Sequence, residues 1–154
     1  MRRIVAINVS IGLLYLADRW WKLWFYHHPA FTQDFIIGFL SFHFVSNPGI
    51  AFGLAVWHWL LWGLIIGVVV VLATLLLRAY QQSDGWTITA TSLLLAGALS
   101  NTLDRLRFGF VIDYIAVPFF TVFNLADCMI TLGAVLLAWQ LVGRRPAVAS
   151  SAPR

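Results

Sequence analysis

Two aspartates, Asp113 and Asp127, are the residues of this chain best suited to chemistry. They lie in a stretch, residues 97–127, that holds three of the six acidic residues of a 154-residue chain that is 61% hydrophobic. Ionisable side chains are costly inside or beside apolar segments, so they are candidates for function. When two carboxylates lie close together, one can keep its proton while the other is ionised. The ionised group can take a proton from water, and the protonated group can polarise a carbonyl and protonate a leaving amine.

A second group of polar residues precedes this pair. Asn101, Asp104 and Arg105 stand at positions i, i+3 and i+4, a spacing that places them on one face of a helix. Gly97 lies one turn earlier. Asp104 could form a plain ion pair with Arg105 or Arg107, which would give it a structural role, or it could belong to the site with the other two aspartates.

The surroundings of each aspartate of the pair predict how the two meet. Asn124 and Asp127 are three residues apart, and we place Asp127 roughly 9 Å, or two turns, into a fourth helix. Asp113 follows Phe108 and Gly109, which are expected to break the third helix, so the chain can carry Asp113 back against the fourth. The spacing alone also allows two solvated acids at loop ends.

Other kinds of function find less support in the sequence. The four histidines lack the spacing of a zinc motif, and no Ser/His/Asp or Cys/His set is positioned to compete. Cys128 is turned about 100° from Asp127 on a helix and is interpreted as a packing residue. A proton or ion pathway also uses intramembrane aspartates. Besides an enzyme and a proton or ion pathway, the sequence allows a third kind of function, that of a non-catalytic assembly protein.

The composition indicates a membrane protein. The mean hydropathy is +0.85 and 10% of the residues are charged, whereas about a quarter of the residues of a soluble domain are charged. The basic residues behind the net charge of +4 are scattered, which argues against nucleic-acid binding. The single cysteine excludes an intrachain disulfide. We therefore expect an all-α membrane protein.

Four apolar segments are long enough to span a bilayer. They are residues 1–26, 54–77, 86–106 and 121–142. Between them, residues 39–45 alternate apolar and polar side chains, which predicts a short strand, and residues 110–120 are predicted to be extended. Residues 1–143 are thus expected to form one four-helix membrane domain, and residues 144–154 a disordered cytoplasmic tail.

The arginines predict the orientation of these helices. With four spans both termini lie on one side, and six arginines share that side: Arg2, Arg3, Arg78, Arg144, Arg145 and Arg154. Four other basic residues lie near the opposite face, beside acids at helix ends: Arg19, Lys22, Arg105 and Arg107. Because basic residues favour the cytoplasmic side, the termini are predicted to be cytoplasmic and the aspartate pair to lie at the outer face.

Several motifs together resemble the bacterial lipoprotein signal peptidase family, also called signal peptidase II. The similar segments are residues 47–52, 97–115 and 123–130, and the first helix has a similar Asp-x-x-x-Lys pattern at Asp18 and Lys22. The motifs occur in the order of that family and cover nearly the whole chain apart from the tail.

This resemblance implies an intramembrane aspartic endopeptidase that removes signal peptides from prolipoproteins. Such an enzyme cuts on the N-terminal side of the diacylglyceryl-modified cysteine. By motif, Asp113 and Asp127 would be the catalytic pair. The other matching positions would bind substrate or support the site: Asn47, Gly49, Asn101, Asp104, Arg105, Asn124, Ala126, Asp18 and Lys22.

The resemblance also implies the surroundings of the enzyme. The four transmembrane helices would carry a small extracytoplasmic β-cradle and an amphipathic outer segment. The expected partners are prolipoproteins and membrane lipid, with no metal, cofactor or nucleic acid, for a monomer in the bacterial inner membrane. Two residues depart from the family pattern: Ser100 replaces a usual glycine, which is expected to loosen that contact slightly, and Tyr114 replaces a common phenylalanine. The connection from Asp113 to Asp127 is also short.

Overall fold

The computed structural model describes residues 2–49 and 58–143. Within these ranges the chain forms four helices, α1 (Arg2–His27), α2 (His58–Gln81), α3 (Gly85–Phe108) and α4 (Leu125–Gly143). Three strands, β1 (Thr32–Ile36), β2 (Leu40–Asn47) and β3 (Val111–Ala116), form one antiparallel sheet in the order β1-β2-β3. The mostly helical architecture with a small sheet is confirmed. The predicted start of the second span and the predicted tail, residues 144–154, lie outside the described residues.

The ends of α3 follow from the local sequence. Asp84 precedes the helix and its carboxylate accepts a hydrogen bond from the Thr87 amide at 3.3 Å, which satisfies one of the unpaired donors of the first turn. Gly109 follows the helix in the left-handed conformation, with φ of 82°, and its amide donates to the Arg105 carbonyl at 3.1 Å. Glycine adopts this conformation without steric cost, so the predicted helix break is confirmed.

The start of α4 differs from the prediction. The chain after β3 turns at Pro118 and Phe119, where the Phe120 amide donates to the Val117 carbonyl. It then returns so that Phe123 pairs with Ile115 in an isolated antiparallel bridge. Because this pairing keeps residues 121–124 out of the helix, α4 begins at Leu125 rather than residue 121. Asp127 therefore lies in the first helical turn, and the predicted depth of two turns is wrong.

The sheet places two of the predicted site residues side by side. The predicted strand at residues 39–45 is observed as β2, which extends to Asn47. Its residues are about equally buried on both faces, so the expected contrast between an apolar and a polar face is absent. Val45 pairs with Asp113 in the ladder to β3. Asn47 lies two residues further along the same face, which makes it a diagonal neighbour of Asp113.

Helix α3 lies at the centre and packs against α1, α2 and α4. Its closest approach to α4 occurs at two glycines. A Cβ atom added at Gly97 would lie 2.4 Å from the Ala126 carbonyl oxygen, and one added at Gly133 would lie 2.7 Å from the Ala90 carbonyl oxygen. The backbones of the two helices therefore meet at these points, one of which is directly beside Asp127.

Gly97→Ala is expected to destabilise the protein by about 1–3 kcal/mol, because the added methyl group must push the start of α4 away. Activity per folded molecule should also fall, since Asp127 lies in the displaced turn. The thermal unfolding midpoint in detergent measures the first effect. Gly67→Ala is the matched control, because nothing lies within 4 Å of a Cβ atom at that position. Equal stability of the two variants would contradict the close approach.

The molecule is apolar outside and charged inside. Large apolar side chains are exposed on every helix of the described ranges, among them Leu13, Val70, Leu106 and Trp139. By contrast, Asp18, Lys22 and Asp104 are 0% exposed. Such exposed apolar surface marks an interface with lipid or protein. By length and composition one helix of the described ranges, Trp59–Gln81, can cross a membrane, and Leu125–Gln140 is a shorter apolar helix. Four crossings remain a prediction.

Candidate active site

Asp113 of β3 and Asp127 of α4 both contact Asn124. The Asn124 side-chain amide donates to Asp113 Oδ1 at 2.6 Å, and the Asn124 backbone amide donates to Asp127 Oδ2 at 3.2 Å. The bridge between Phe123 and Ile115 brings this about, because it lays Asn124 against the strand that holds Asp113. The structure thus brings the predicted pair together, with Asp113 on a strand rather than in a loop.

The position of Asp127 is fixed by the start of its helix. Asn124 precedes the first turn, and its Oδ1 accepts the Asp127 amide at 2.9 Å, while the Asp127 carboxylate accepts the Asn124 amide. This reciprocal arrangement is a capping box, and a helix N-terminus favours a negative charge. The capping bond from the Asn124 amide uses only Oδ2 of Asp127. Asp127 Oδ1 instead accepts a hydrogen bond at 2.8 Å from the side-chain amide of Asn101.

Asn47 holds the other carboxylate. Its Oδ1 accepts the Gly49 amide at 3.1 Å, so its Nδ2 is turned toward Asp113 and donates to Asp113 Oδ2 at 2.9 Å. Burial raises the pKa of Asp113 to about 6, against the hydrogen bond from Asn47, which lowers it; the nearby charge of Asp127 raises it further. Asp113 therefore retains a proton at a pH where an exposed carboxyl group has lost it.

Lys22 orients a third asparagine. The Lys22 ammonium group donates to Asn101 Oδ1 at 2.6 Å, which turns Asn101 Nδ2 toward Asp127. In Asn47, Asn101 and Asn124 alike, an N–H donor holds the oxygen of the side-chain amide. The nitrogen of each amide consequently faces a carboxylate of the pair. Each carboxylate receives two N–H donors.

Asp104 does not join the pair. Its carboxylate lies 2.5 Å from Arg19 and 2.8 Å from Lys22, and it accepts the Ile112 amide at 3.2 Å. Of the two alternatives for Asp104, the ion pair with Arg105 or Arg107 is not observed, because Asp104 faces α1. The structural role predicted for it fits these contacts.

The contacts of Arg19 and Ser100 were not predicted from the sequence. Arg19 Nη1 donates to Asp104 and to Ser100 Oγ, the latter at 3.2 Å. Ser100 Oγ donates in turn to Asp18 Oδ2 at 2.5 Å, so the expected loosening at Ser100 is wrong. The available signal for Arg19 was a cation between Asp18 and Lys22, at the end of a long apolar segment. Asp18 and Lys22 lie on one helix face as predicted, 3.4 Å apart.

Arg105 faces the turn after β2. Its guanidinium group donates to the Gly49 carbonyl at 2.6 Å and to the Asn101 carbonyl at 3.4 Å. Its Nε is buried without a hydrogen-bond partner among the described residues. Arg105 therefore ties the Asn47–Gly49 turn to α3 and keeps one donor unused. The predicted motif residues Ile50, Ala51 and Phe52 lie outside the described residues.

An open cavity of about 860 Å³ ends at Asp127. Its walls are mainly apolar side chains of α2 and α4, such as Leu61, Val68 and Leu132, and Asn101 and Arg105 line it beside Asp127. A smaller cavity of about 200 Å³ adjoins Asp113. Three residues line both cavities: Asn47, Thr121 and Val122. The carboxylate pair therefore lies between a large apolar space and a small space beside the sheet.

This arrangement can perform acid–base chemistry on a bond placed between the two carboxylates. One carboxylate lies at each cavity, both are held by oriented amides, and the pKa of Asp113 is raised. A protonated and an ionised carboxyl group can then activate a water molecule and polarise a carbonyl. No cluster of three or more His, Cys, Asp or Glu side chains suited to a metal ion occurs in the described parts of the chain.

Comparison with known proteins points to one family. Residues 10–143 match the family model described as Signal peptidase (SPase) II. The chain is 41% identical over 140 residues to the lipoprotein signal peptidase of Halothermothrix orenii, which covers 87% of this chain and 95% of that protein. It is 39% identical over 127 residues to the lipoprotein signal peptidase of Moorella thermoacetica, and the match covers 77% of this chain and 83% of that protein.

Solved structures share the fold. A bacterial membrane enzyme determined by the in meso method at 2.3 Å resolution superposes with a TM-score of 0.82 at 24% identity, covering 100% of this chain and 96% of that one. A second, at 1.9 Å resolution, gives a TM-score of 0.75 at 25% identity, covering 94% and 96%. The matches to lipoprotein signal peptidases do not favour the transport alternative.

Proposed function

The chain belongs to the signal peptidase II family, and on that basis we propose that it is an aspartic endopeptidase that removes signal peptides from prolipoproteins. The bond cut would be on the N-terminal side of the diacylglyceryl-modified cysteine. The observation that carries this proposal is the pair Asp113 and Asp127, joined through Asn124 at the end of a large apolar cavity. Asn47, Gly49, Asn101, Arg105, Asn124 and Ala126 would hold the pair or the substrate, and Asp18, Lys22 and Asp104 would support them.

The chain is a membrane protein, and we propose that all four helices cross the inner membrane with the termini in the cytoplasm. The exposed apolar side chains on α1 and α3 support this, as do the buried charges that those helices direct inward. The start of α4 and the sheet would then lie at the outer face. The lipid of the substrate would enter the apolar cavity between α2 and α4, and the peptide would cross the carboxylate pair.

We assign the shared proton of the resting enzyme to Asp113. Asp127 takes a proton from water as the water oxygen attacks the scissile carbonyl carbon, and Asp113 gives its proton to the carbonyl oxygen. The tetrahedral intermediate then collapses. The C–N bond breaks, the leaving amine takes the proton from Asp127, and the hydroxyl proton returns to Asp113. The released signal peptide ends in a carboxyl group and the lipoprotein begins with a free amine.

The pH dependence follows from Asp113. Because its pKa is raised to about 6 by burial and the proposed mechanism needs its proton, kcat/KM should decline as the pH rises through about 6. Asn47→Ala removes a hydrogen bond that stabilises the ionised form, so the pKa of Asp113 should rise and this decline should move to higher pH. Measurement of kcat/KM against pH for both proteins checks the shift. If the decline of kcat/KM in Asn47→Ala stayed at the same pH or moved to lower pH, the assignment of the proton to Asp113 would be contradicted.

Two precursors that differ only in the lipid test the proposed function. Purified protein in detergent is mixed with a prolipoprotein that carries the diacylglyceryl group on its cysteine, and with the same chain lacking the lipid. We expect cleavage of the first at a rate well above that of the second, since the lipid would fill the apolar cavity beside Asp127 and hold the substrate there. Equal rates for both, or cleavage of neither, would refute the proposal.

A further inference from the structure

The first turn of α4 has protein partners for each of its backbone amides. The Asp127 amide is bound by the Asn124 side chain at 2.9 Å, and the Cys128 amide donates to the Asn124 carbonyl at 3.3 Å. The two amides before them reach outside the helix: Leu125 donates to the Tyr114 hydroxyl at 3.2 Å and Ala126 to Asp18 Oδ1 at 3.0 Å. A helix normally leaves these donors to water or to a local cap.

Asp18 joins four elements at this point. Its Oδ1 accepts the Ala126 amide and the Tyr114 hydroxyl, the latter at 3.3 Å. Its Oδ2 accepts the Ser100 hydroxyl at 2.5 Å and lies 3.4 Å from the Lys22 ammonium group. The carboxylate, 0% exposed, thereby links α1 to α3, to β3 and to the start of α4. Its four donors leave it no freedom to turn without losing a bond.

Tyr114 is placed to serve as both donor and acceptor. Its ring stacks on Phe25, with centroids 5.1 Å apart and planes 9° from parallel. Its hydroxyl accepts the Leu125 amide and donates to Asp18. Burial raises the pKa of Tyr114, and the charge of Asp18 adds to the effect, so the hydroxyl keeps the proton that it donates. Tyr114 is also the chain neighbour of Asp113.

We propose that Asp18 and Tyr114 are positioning residues that together cap α4 from outside the helix and so fix where Asp127 stands relative to Asp113. The bonds between Asn124 and Asp127 fix the Asp127 side chain only relative to its own helix, α4. The bonds from Asp18 and Tyr114 tie the helix start to α1 and β3, and hence to the strand that carries the other carboxylate. The catalytic consequence rests on the proposed function, whereas the cap itself does not.

Tyr114→Phe tests the proposal with little change in packing, because the ring can still stack on Phe25. The Leu125 amide loses its partner, and its hydrogen exchange should become about tenfold faster, as expected for the loss of one hydrogen bond. For cleavage of the diacylglyceryl-modified precursor, kcat should fall about tenfold with KM changed by less than about twofold, since a small displacement of a reacting group slows the chemical step. Tyr80→Phe is the matched control. The hydroxyl of Tyr80, on α2, also accepts a hydrogen bond from a side chain, that of Asn8, but Tyr80 is far in sequence from Asp113 and Asp127.

Each outcome decides one part of the inference. Unchanged exchange at Leu125 in Tyr114→Phe would overturn the cap, and unchanged kcat with faster exchange would overturn the positioning role. A lower melting temperature with normal kcat per folded molecule would do the same, since it marks a purely structural residue. Should Tyr114→Phe fail to fold, slow exchange of Leu125 and Ala126 in the unaltered protein is still required, and fast exchange there would refute the cap. Failure of the unaltered protein to cleave the precursor would count against the proposed function alone.

Discussion

Asparagine in place of Asp113 or of Asp127 is expected to lower kcat by about 10²- to 10⁴-fold, the usual contribution of a positioned acid or base. An amide can neither take the proton from water nor supply one to the carbonyl. It has nearly the shape of the carboxyl group, so the hydrogen bond from the Asn124 amide to residue 127 can persist. Cleavage of the diacylglyceryl-modified precursor under single-turnover conditions measures the loss.

The control for this pair is Asp34→Asn, which changes an exposed aspartate of β1 and should leave the rate unchanged. The double variant, Asp113→Asn with Asp127→Asn, should be little slower than the worse single variant, because residues that act as one unit give non-additive losses. If a folded Asp127→Asn protein cleaved at the rate of Asp34→Asn, the two-carboxylate mechanism would be wrong. Full multiplication of the two single losses would show that the aspartates act independently.

Lys22→Met is expected to produce the largest loss of stability, about 3–5 kcal/mol, because it leaves buried carboxylates without their shared cation. Lys22 is 0% exposed and lies 2.8 Å from Asp104 and 3.4 Å from Asp18. It also holds the oxygen of Asn101, so Asp127 should lose its oriented amide donor as well. Equilibrium unfolding in mixed micelles gives the change in the free energy of unfolding.

Arg107→Met is the matched control for Lys22→Met. Arg107 is an exposed cation whose guanidinium group lies 5.8 Å from the Phe108 ring, and such surface substitutions usually change stability by less than about 0.5 kcal/mol. Comparable stability of the two variants would show that the buried carboxylates of Asp18 and Asp104 find other partners when Lys22 is lost.

The helices could be predicted because each is a long apolar segment with a clear ending, such as Gly109 after α3. The start of α4 could not, because residues 121–124 contain no glycine or proline that would exclude them from a helix. A bridge between Phe123 and Ile115 excludes them from it. Strand β1 was not predicted either, because its five residues do not alternate between apolar and polar side chains. All five are exposed.

The types of residue in the site could be predicted, but not most of their partners. Aspartates and asparagines in an apolar chain are conspicuous, and the pair Asp113 and Asp127 does come together. The orientation of each asparagine depends on donors far away in sequence, as when Lys22 holds Asn101 from 79 residues away. The partner of Asp104 could not be predicted for the same reason, since the candidates nearby in sequence were Arg105 and Arg107 and packing supplied Arg19.

The masses of the two products formed from a diacylglyceryl-modified prolipoprotein show whether Asp113 and Asp127 cut the chain before its modified cysteine. We expect one cut, with the lipid-bearing product beginning at the modified cysteine and the other product ending at the residue before it. The unaltered protein should form both products, and an equal amount of folded Asp127→Asn protein should form almost none. A cut at another bond, or the same products at the same rate from Asp127→Asn, would contradict the proposed cleavage by Asp113 and Asp127.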